Sequence, residues 1–444
     1  MKTTLWTIML LCAINNISAQ VKSQVKESFE LTSIAFRLAG AEEYINNTIP
    51  GYTADIDNYF SKYREHKLIS YIKKIREEQG IAYDAVPAAT GCIEIKRGKV
   101  IIDPQCDASK ISMIDSRWTE ESFRTFVRLL NDFYRQTKFK DFYTLHRGLY
   151  DIAETRLNTI LVDLNAEWFK SMFGEGPENT IVVASLCSTD KEGNPAYSRF
   201  LITVIVHELL HHYTNPCLAQ YWSQIDSASQ IIYPHVKEKM AKLAYGSTNS
   251  TMIEWFNNLL TIMYFKDNPN RGFTATHLTA WRQHEGFIWM ERSMTFMEHF
   301  RNHRNLYSTI KDFMPEIVSF VNYTASDFDN VLKEYDNKEP YITDIFPISN
   351  SILPLGIDTI QIRFSKPMFG AYGIRPLDDK RISPPYTDYQ PFWKDKYTFC
   401  IILDRSKLEK GKTYGFKLNR AFFQSEKTYP MKEDFPYTFK MPDE

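Results

Sequence analysis

The five residues His207-Glu208-Leu209-Leu210-His211 follow the apolar run Phe200-Leu-Ile-Thr-Val-Ile-Val206 and form an H-E-x-x-H motif. The apolar run predicts a buried helix that Ser198 caps and that Asn215-Pro216 ends. Residues four apart on a helix share one face, so both imidazoles can reach one tetrahedrally coordinated metal ion. The stretch therefore predicts a metal-binding helix.

Glu208 is the only formal charge between residues 200 and 210. Removing water from a carboxylate is costly, so a lone carboxylate in an apolar helix needs a strong partner. A metal ion with its bound water is such a partner, and a carboxylate beside the metal is placed to take a proton from that water. We therefore predict that Glu208 is the catalytic general base.

A second apolar segment, Thr251 to Phe265, carries Glu254 as its only charge and is ended by Asp267-Asn268-Pro269. The same burial argument makes Glu254 the predicted third ligand, with Zn²⁺ as the predicted cofactor. The alternative is a salt bridge from Glu254 to an Arg or Lys side chain. Glu238 and Asp226 are weaker ligand candidates because their neighbours in sequence are polar.

Composition limits the class of protein. The chain has 444 residues, a formal net charge of -1 and 43% hydrophobic residues, which is typical of a globular protein with two or three domains. No run of Lys and Arg provides the basic surface that nucleic-acid binding needs. We therefore expect no nucleic-acid partner.

The N-terminus has the pattern of a secretory signal peptide. A basic start at Lys2, an apolar core from Leu5 to Ala13 and the small residue Ala19 predict cleavage between Ala19 and Gln20. A lipoprotein signal at Cys12 is the competing interpretation, but the bulky Leu11 disfavours it. No later apolar run reaches the roughly 18 residues of a membrane span. We expect an exported protein, periplasmic or secreted, without a membrane span.

Removal of the signal peptide leaves five cysteines, so at least one thiol stays unpaired in a monomer. Cys92 and Cys106 flank a predicted hairpin over residues 93–102 and could form a disulfide. No C-x-x-C spacing supports a cysteine zinc site.

Residues 20–325 form the first predicted domain, which is mainly helical. Residues 180–186 read as a strand, and in zinc peptidases a strand just upstream of the H-E-x-x-H helix commonly borders the cleft, where its free edge can pair with substrate. Residues 326–340 are polar and read as a linker. Residues 341–444 alternate apolar and polar side chains and predict an all-β sandwich, so the predicted fold class is α+β.

Two family resemblances follow from these residues. His207, Glu208, His211 and the distant Glu254 resemble the gluzincin zinc metallopeptidases. Residues 38–44, Tyr59-Phe60, His66, the block 207–216 and the Glu254 helix are together similar to an exported bacterial family of unknown function, over roughly residues 25–325. These resemblances imply a zincin-like peptidase domain.

The C-terminal segment resembles bacterial immunoglobulin-like domains, through Ile345-Phe-Pro347 and Ile362-Arg-Phe-Ser-Lys-Pro-Met368. That resemblance implies an immunoglobulin-like sandwich that serves as a spacer or a binding module.

The expected function is an exported zinc metallopeptidase that hydrolyses peptide bonds of a peptide or protein substrate. A second donor to the oxyanion is usual, and the candidates are Tyr233, His235, Arg282 and His284. Two alternatives stay open: a non-catalytic exported binding protein on a metallopeptidase scaffold, and a metal-dependent amide hydrolase of cell-wall material. The intact Glu208 favours an enzyme.

Overall fold

The computed structural model describes residues 21–45, 49, 51–177, 180–187, 201–269, 273–385 and 390–443. The predicted signal peptide, 1–19, and the predicted helix cap Ser198 lie outside these ranges. The chain divides into two compact units, Met1–Lys170 with Gly174–Ile205, and Ser171–Phe173 with Val206–Glu444. The domain boundaries read from the sequence stay predictions.

The described part of the chain before residue 201 is mainly helical. Its helices are α1 Glu27–Leu38, α2 Glu42–Ile45, α3 Tyr52–Phe60, α4 Lys67–Gln79, α5 Ala85–Thr90, α6 Ile111–Ile114, α7 Glu120–Gln136, α8 Phe139–Leu145, α9 Arg147–Leu161 and α10 Ala166–Phe173. Its strands are β1 Lys22–Gln24, β2 Ile93–Lys96, β3 Lys99–Ile102 and β4 Ile181–Val183. Helix α7 buries an apolar stripe of Phe123, Val127, Leu130 and Tyr134.

The predicted hairpin is confirmed, and the disulfide that the sequence left open is formed. β2 and β3 pair antiparallel, with Ile93 opposite Ile102. Cys92 and Cys106 are joined by a disulfide across the ends of this hairpin. Cys187, Cys217 and Cys400 are buried.

The predicted strand upstream of the H-E-x-x-H helix is present, but it is shorter than expected and one of its edges is occupied. β4 pairs in parallel with β1, so that Lys22 lies opposite Ile181. Val21 and Val25 on either side of β1 are buried, and the Val25 N–H donates to Glu154 Oε1 at 2.8 Å. The first described residues are therefore built into the core of their unit.

The helices that follow are α11 Leu201–Lys242, α12 Thr248–Asp267, α13 Ala275–Glu285, α14 Met290–Asn302, α15 Ile310–Ser326 and α16 Phe328–Asp336. The predicted end of the H-E-x-x-H helix at Asn215-Pro216 is wrong, because α11 continues through both Pro216 and Pro234. A proline removes one helical hydrogen bond but keeps a helical φ, and the buried side chains of Cys217, Leu218 and Ile225 continue the packed face.

The C-terminal residues form two four-stranded sheets. The strands are β5 Ile342–Phe346, β6 Ser351–Ile352, β7 Thr359–Phe364, β8 Ile374–Arg375, β9 Phe392–Asp395, β10 Thr398–Ile402, β11 Thr413–Leu418 and β12 Phe435–Lys440, in the orders β5-β7-β10-β9 and β6-β12-β11-β8. Alternate side chains of both sheets, such as Ile362, Phe399, Phe416 and Phe439, share one apolar core. The α+β class is therefore confirmed.

No described helix is both long enough and apolar enough to cross a membrane.

Candidate metal centre

Helices α11 and α12 bring the three predicted ligands together. His207 and His211 stand one turn apart on α11, with ring centroids 4.9 Å apart. Glu254 lies in the second turn of α12, which a reciprocal Ser247/Ser250 capping box begins. Glu254 Oε2 lies 3.3 Å from His207 Nε2, and Glu254 Oε1 lies 3.4 Å from His211 Nε2. One potential ligand atom from each residue falls within a 4.8 Å cluster.

These separations fit a small metal ion. A tetrahedral zinc site with bonds of about 2.0–2.1 Å has ligand atoms about 3.3–3.4 Å apart. Glu254 Oε2 is buried and accepts no hydrogen bond from a described residue, so a cation can occupy that oxygen without displacing a donor. Two imidazole nitrogens and one carboxylate oxygen form a donor set that zinc accepts in proteins. The three residues therefore fit a metal ion chemically as well as geometrically.

The alternative partner for Glu254, an Arg or Lys side chain, is absent among the described residues, where its ion pairs are those with His207 and His211. Burial alone would raise the pKa of Glu254. Interactions with His207, His211 and Tyr245 outweigh burial and lower that pKa. The site therefore favours a carboxylate, the form that binds metal.

Polar residues orient the His211 ring and hold the His207 backbone. His211 Nδ1 lies 3.1 Å from Asn215 Oδ1, and because an amide oxygen only accepts, Nδ1 donates and Nε2 is the nitrogen that can face a metal ion. Asn257 is fully buried; its Nδ2 donates to the His207 carbonyl at 2.9 Å and its Oδ1 accepts from the Thr214 hydroxyl at 2.8 Å. Asn257 thus fixes α12 against two turns of α11.

Tyr245 lies in the turn between α11 and α12. Burial and the charge of Glu254 raise the pKa of Tyr245, so its hydroxyl stays protonated. The Tyr245 ring lies 6.2 Å from that of Phe287, whose N–H donates to the Arg282 carbonyl, so the end of α13 lies near Tyr245. Arg282 and Glu285 form an ion pair at 2.6 Å.

The position of Glu254 also requires α11 to bend. A straight helix would place Lys242 about 46 Å from His211, at about 1.5 Å per residue. Glu254 lies 3.4 Å from His211, and the chain from Lys242 to Glu254, which is helical from Thr248, can span only about 30 Å. The helix is therefore not straight after His211, and Pro216 and Pro234, which lack the N–H of a regular helix, lie in this section.

Glu208 lies beside His207 on α11, but its side chain is exposed. The burial argument used for it from the sequence is therefore wrong, because an exposed carboxylate needs no partner to offset lost hydration. Exposure does leave its carboxylate accessible to water and to a substrate.

The predicted second donors are scattered. Arg282 lies near Tyr245, whereas His284 is bonded to Glu339 through Nδ1 at 3.0 Å. His235 is exposed and its ring contacts Phe328, and Tyr233 forms no hydrogen bond to the triad within the described ranges. Glu238 and Asp226, the weaker ligand candidates, are not part of the metal cluster found among the described residues.

Sequence reasoning missed Tyr245, Asn215 and Asn257. The signal for Asn257 was the pair Asn257-Asn258 inside an otherwise apolar helix, because a buried amide needs partners just as a carboxylate does. Asn215 is four residues after His211 and so shares its helical face. Tyr245 lies in a turn, and sequence periodicity does not predict which way a side chain in a turn points.

Residues 193–320 match the model of a family described as a domain of unknown function, DUF4932. The match covers less than half of the chain and includes the three candidate ligands and Glu208. No curated protein and no solved structure matches the chain. The wider resemblance over residues 25–325 stays an expectation.

Proposed function

We propose that this protein is an exported zinc-dependent peptidase with a gluzincin-like arrangement of His207, His211 and Glu254. The observation that carries the proposal is the convergence of two Nε2 atoms on the two oxygens of one buried carboxylate, at 3.3 and 3.4 Å, with one ligand atom from each residue within 4.8 Å of the others. The exposed Glu208 beside these ligands adds the base that a merely structural zinc site does not need. We also propose that the helical domain has a zincin-like fold and that the C-terminal sandwich has an immunoglobulin-like fold.

The three ligands would hold the zinc ion, which when bound lowers the pKa of water and polarises a carbonyl group. Glu208 takes a proton from the attacking water and then delivers it to the departing amine, so that it ends each cycle as a carboxylate. Asn215 orients the His211 imidazole, and Asn257 holds the His207 backbone against α12.

The test is cleavage of casein and of a peptide library by the mature protein and by Glu208→Gln, with zinc content measured on the same samples. The matched control is Glu238→Gln, which neutralises another exposed glutamate on the same helix. The proposal expects about one zinc ion per chain in all three proteins, and cleavage by the wild type and Glu238→Gln only.

If all three proteins hold zinc and none cleaves peptides, the peptidase proposal is wrong, and the binding protein and the cell-wall amide hydrolase become the working hypotheses. If none of the proteins holds zinc, the metal centre itself is wrong. Export is tested separately, by sequencing the N-terminus of protein recovered from outside the cytoplasm, where Gln20 is expected as the first residue.

A further inference from the structure

We propose that the C-terminal β-sandwich is a brace for the metal centre, which it holds in place through the end of α13. This role goes beyond the proposed reaction and differs from the spacer or binding module that the resemblance implies. All the residues involved lie in the unit Val206–Glu444.

The first contact of the brace is between Tyr429 and Gln283. Tyr429 lies in the connection between β11 and β12, which Phe423 and Met431 anchor in the sandwich core. Its hydroxyl donates to Gln283 Oε1 at 2.5 Å, and Gln283 Nε2 donates to the Ile288 carbonyl at 2.6 Å. Tyr429 is 5% and Gln283 1% exposed, so water does not replace these bonds when one is lost.

The second contact involves Glu339, three residues before β5. This carboxylate is 5% exposed and accepts hydrogen bonds from His284 Nδ1 and from the Tyr335 hydroxyl. The backbone carbonyl of His284 accepts a hydrogen bond from Lys239 Nζ at 3.0 Å. Gln283 and His284, which are adjacent on α13, therefore bond to Tyr429 and Glu339 from later in the chain. His284 also bonds to Lys239 on α11.

The held residues adjoin the metal centre. The Cβ of any residue replacing Gly286 would lie 2.4 Å from Met240 Cε, so α11 packs closely against the end of α13. The Met240 carbonyl accepts the Tyr245 N–H at 2.9 Å, and the Tyr245 ring lies 6.2 Å from that of Phe287. Trp289 follows Ile288, whose carbonyl Gln283 holds, and its ring lies 6.3 Å from that of Trp255, the residue after Glu254. Gln283 and Tyr429 are therefore positioning residues, which act on the Glu254 turn of α12 through Trp289.

The experiment compares Tyr429→Phe with Tyr437→Phe in the full chain. Tyr437 is also buried in the sandwich, but its hydroxyl donates to the Pro347 carbonyl and not to a helix. Each variant loses one buried hydroxyl of the same module. The primary measurement is native-state amide hydrogen exchange of residues 240–257 and 282–288, which needs neither zinc nor activity.

Tyr429→Phe is expected to speed exchange in both segments at least about fivefold, while Tyr437→Phe leaves them unchanged. Zinc affinity should fall about three- to tenfold in Tyr429→Phe only, less than the 10–100-fold typical of residues that bond directly to a ligand. Glu339→Gln is a second variant with the same expected pattern. Equal effects of the two tyrosine variants, or none, would overturn the brace.

These measurements separate the brace from the peptidase proposal. A wild type that holds no zinc would end the metal proposal, while the exchange measurements would still decide whether the sandwich holds residues 240–257.

Discussion

Replacing Glu254 with Gln tests the metal centre most directly. The substitution keeps the shape of the side chain and removes the charge that faces His207 and His211 at 3.3 and 3.4 Å. Altering a residue that only supports a metal ligand typically weakens metal binding by about 10–100-fold. Loss of a ligand itself should therefore weaken zinc binding by at least about 100-fold.

The effect on stability follows from binding linkage. At a free zinc concentration of about 100 times the dissociation constant, zinc stabilises the wild type by about 2.7 kcal/mol. A 100-fold weaker site at the same concentration is stabilised by only about 0.4 kcal/mol. At about 2–4 °C per kcal/mol for a unit of this size, zinc should raise Tm by about 5–11 °C in the wild type and about 1–2 °C in Glu254→Gln.

The assay is thermal unfolding by circular dichroism with buffered zinc and with a chelator. Glu208→Gln is the control, because Glu208 is exposed and is not one of the three ligands, and it should keep the full zinc-dependent shift. A Glu254→Gln variant with the wild-type shift would refute the assignment of Glu254 as a ligand. A wild type that zinc does not stabilise would refute the metal centre.

Three further predictions concern single groups. Asn215→Ala, which removes the hydrogen bond to His211 Nδ1, should weaken zinc binding about 10–100-fold, with Tyr233→Phe as the unaffected control, measured by competition with a chromophoric chelator. Burial raises the pKa of Glu30 above its usual 4.5, so its contribution to stability is full below that pH and is lost as the pH rises through the folded-state pKa. The difference in urea-unfolding free energy between the wild type and Glu30→Gln should therefore decrease from pH 4.5 upwards, and a constant difference would contradict this account. Replacing Cys92 and Cys106, 14 residues apart, with Ser should cost about 3 kcal/mol of unfolding free energy and leave a chain whose stability does not respond to reductant. A Cys400→Ser variant keeps the disulfide, so reductant should lower its unfolding free energy by the same amount.

The sequence was sufficient where one residue pattern carries the physical signal. The spacing of His207 and His211 and the lone charge of Glu254 predicted three side chains that the structure brings together. The alternation around Ile362 and Phe416 predicted two sheets with a shared core. In each case, a regular spacing of apolar residues or a single charge in an apolar segment indicates directly which side chains are buried.

The sequence was insufficient where distant contacts decide the conformation. Pro216 predicts a helix end, yet the packed side chains beyond it keep α11 helical. Glu208 was predicted to be buried because its neighbours in sequence are apolar, but its side chain is exposed. Glu254 reaches His211 only because α11 bends, and no local pattern specifies that bend.

The parallel pairing of β1 with β4 has a consequence for the order of folding. Lys22 finds its partner Ile181 only after most of the N-terminal unit has been synthesised. At about 5–20 residues per second, this strand waits roughly 8–32 s with its hydrogen-bonding groups unpaired. Val21 and Val25, buried in the finished unit, are exposed throughout this interval. Residues 21–25 are therefore among the last to become native, and they are where a chaperone that holds unfolded chains would have the longest access.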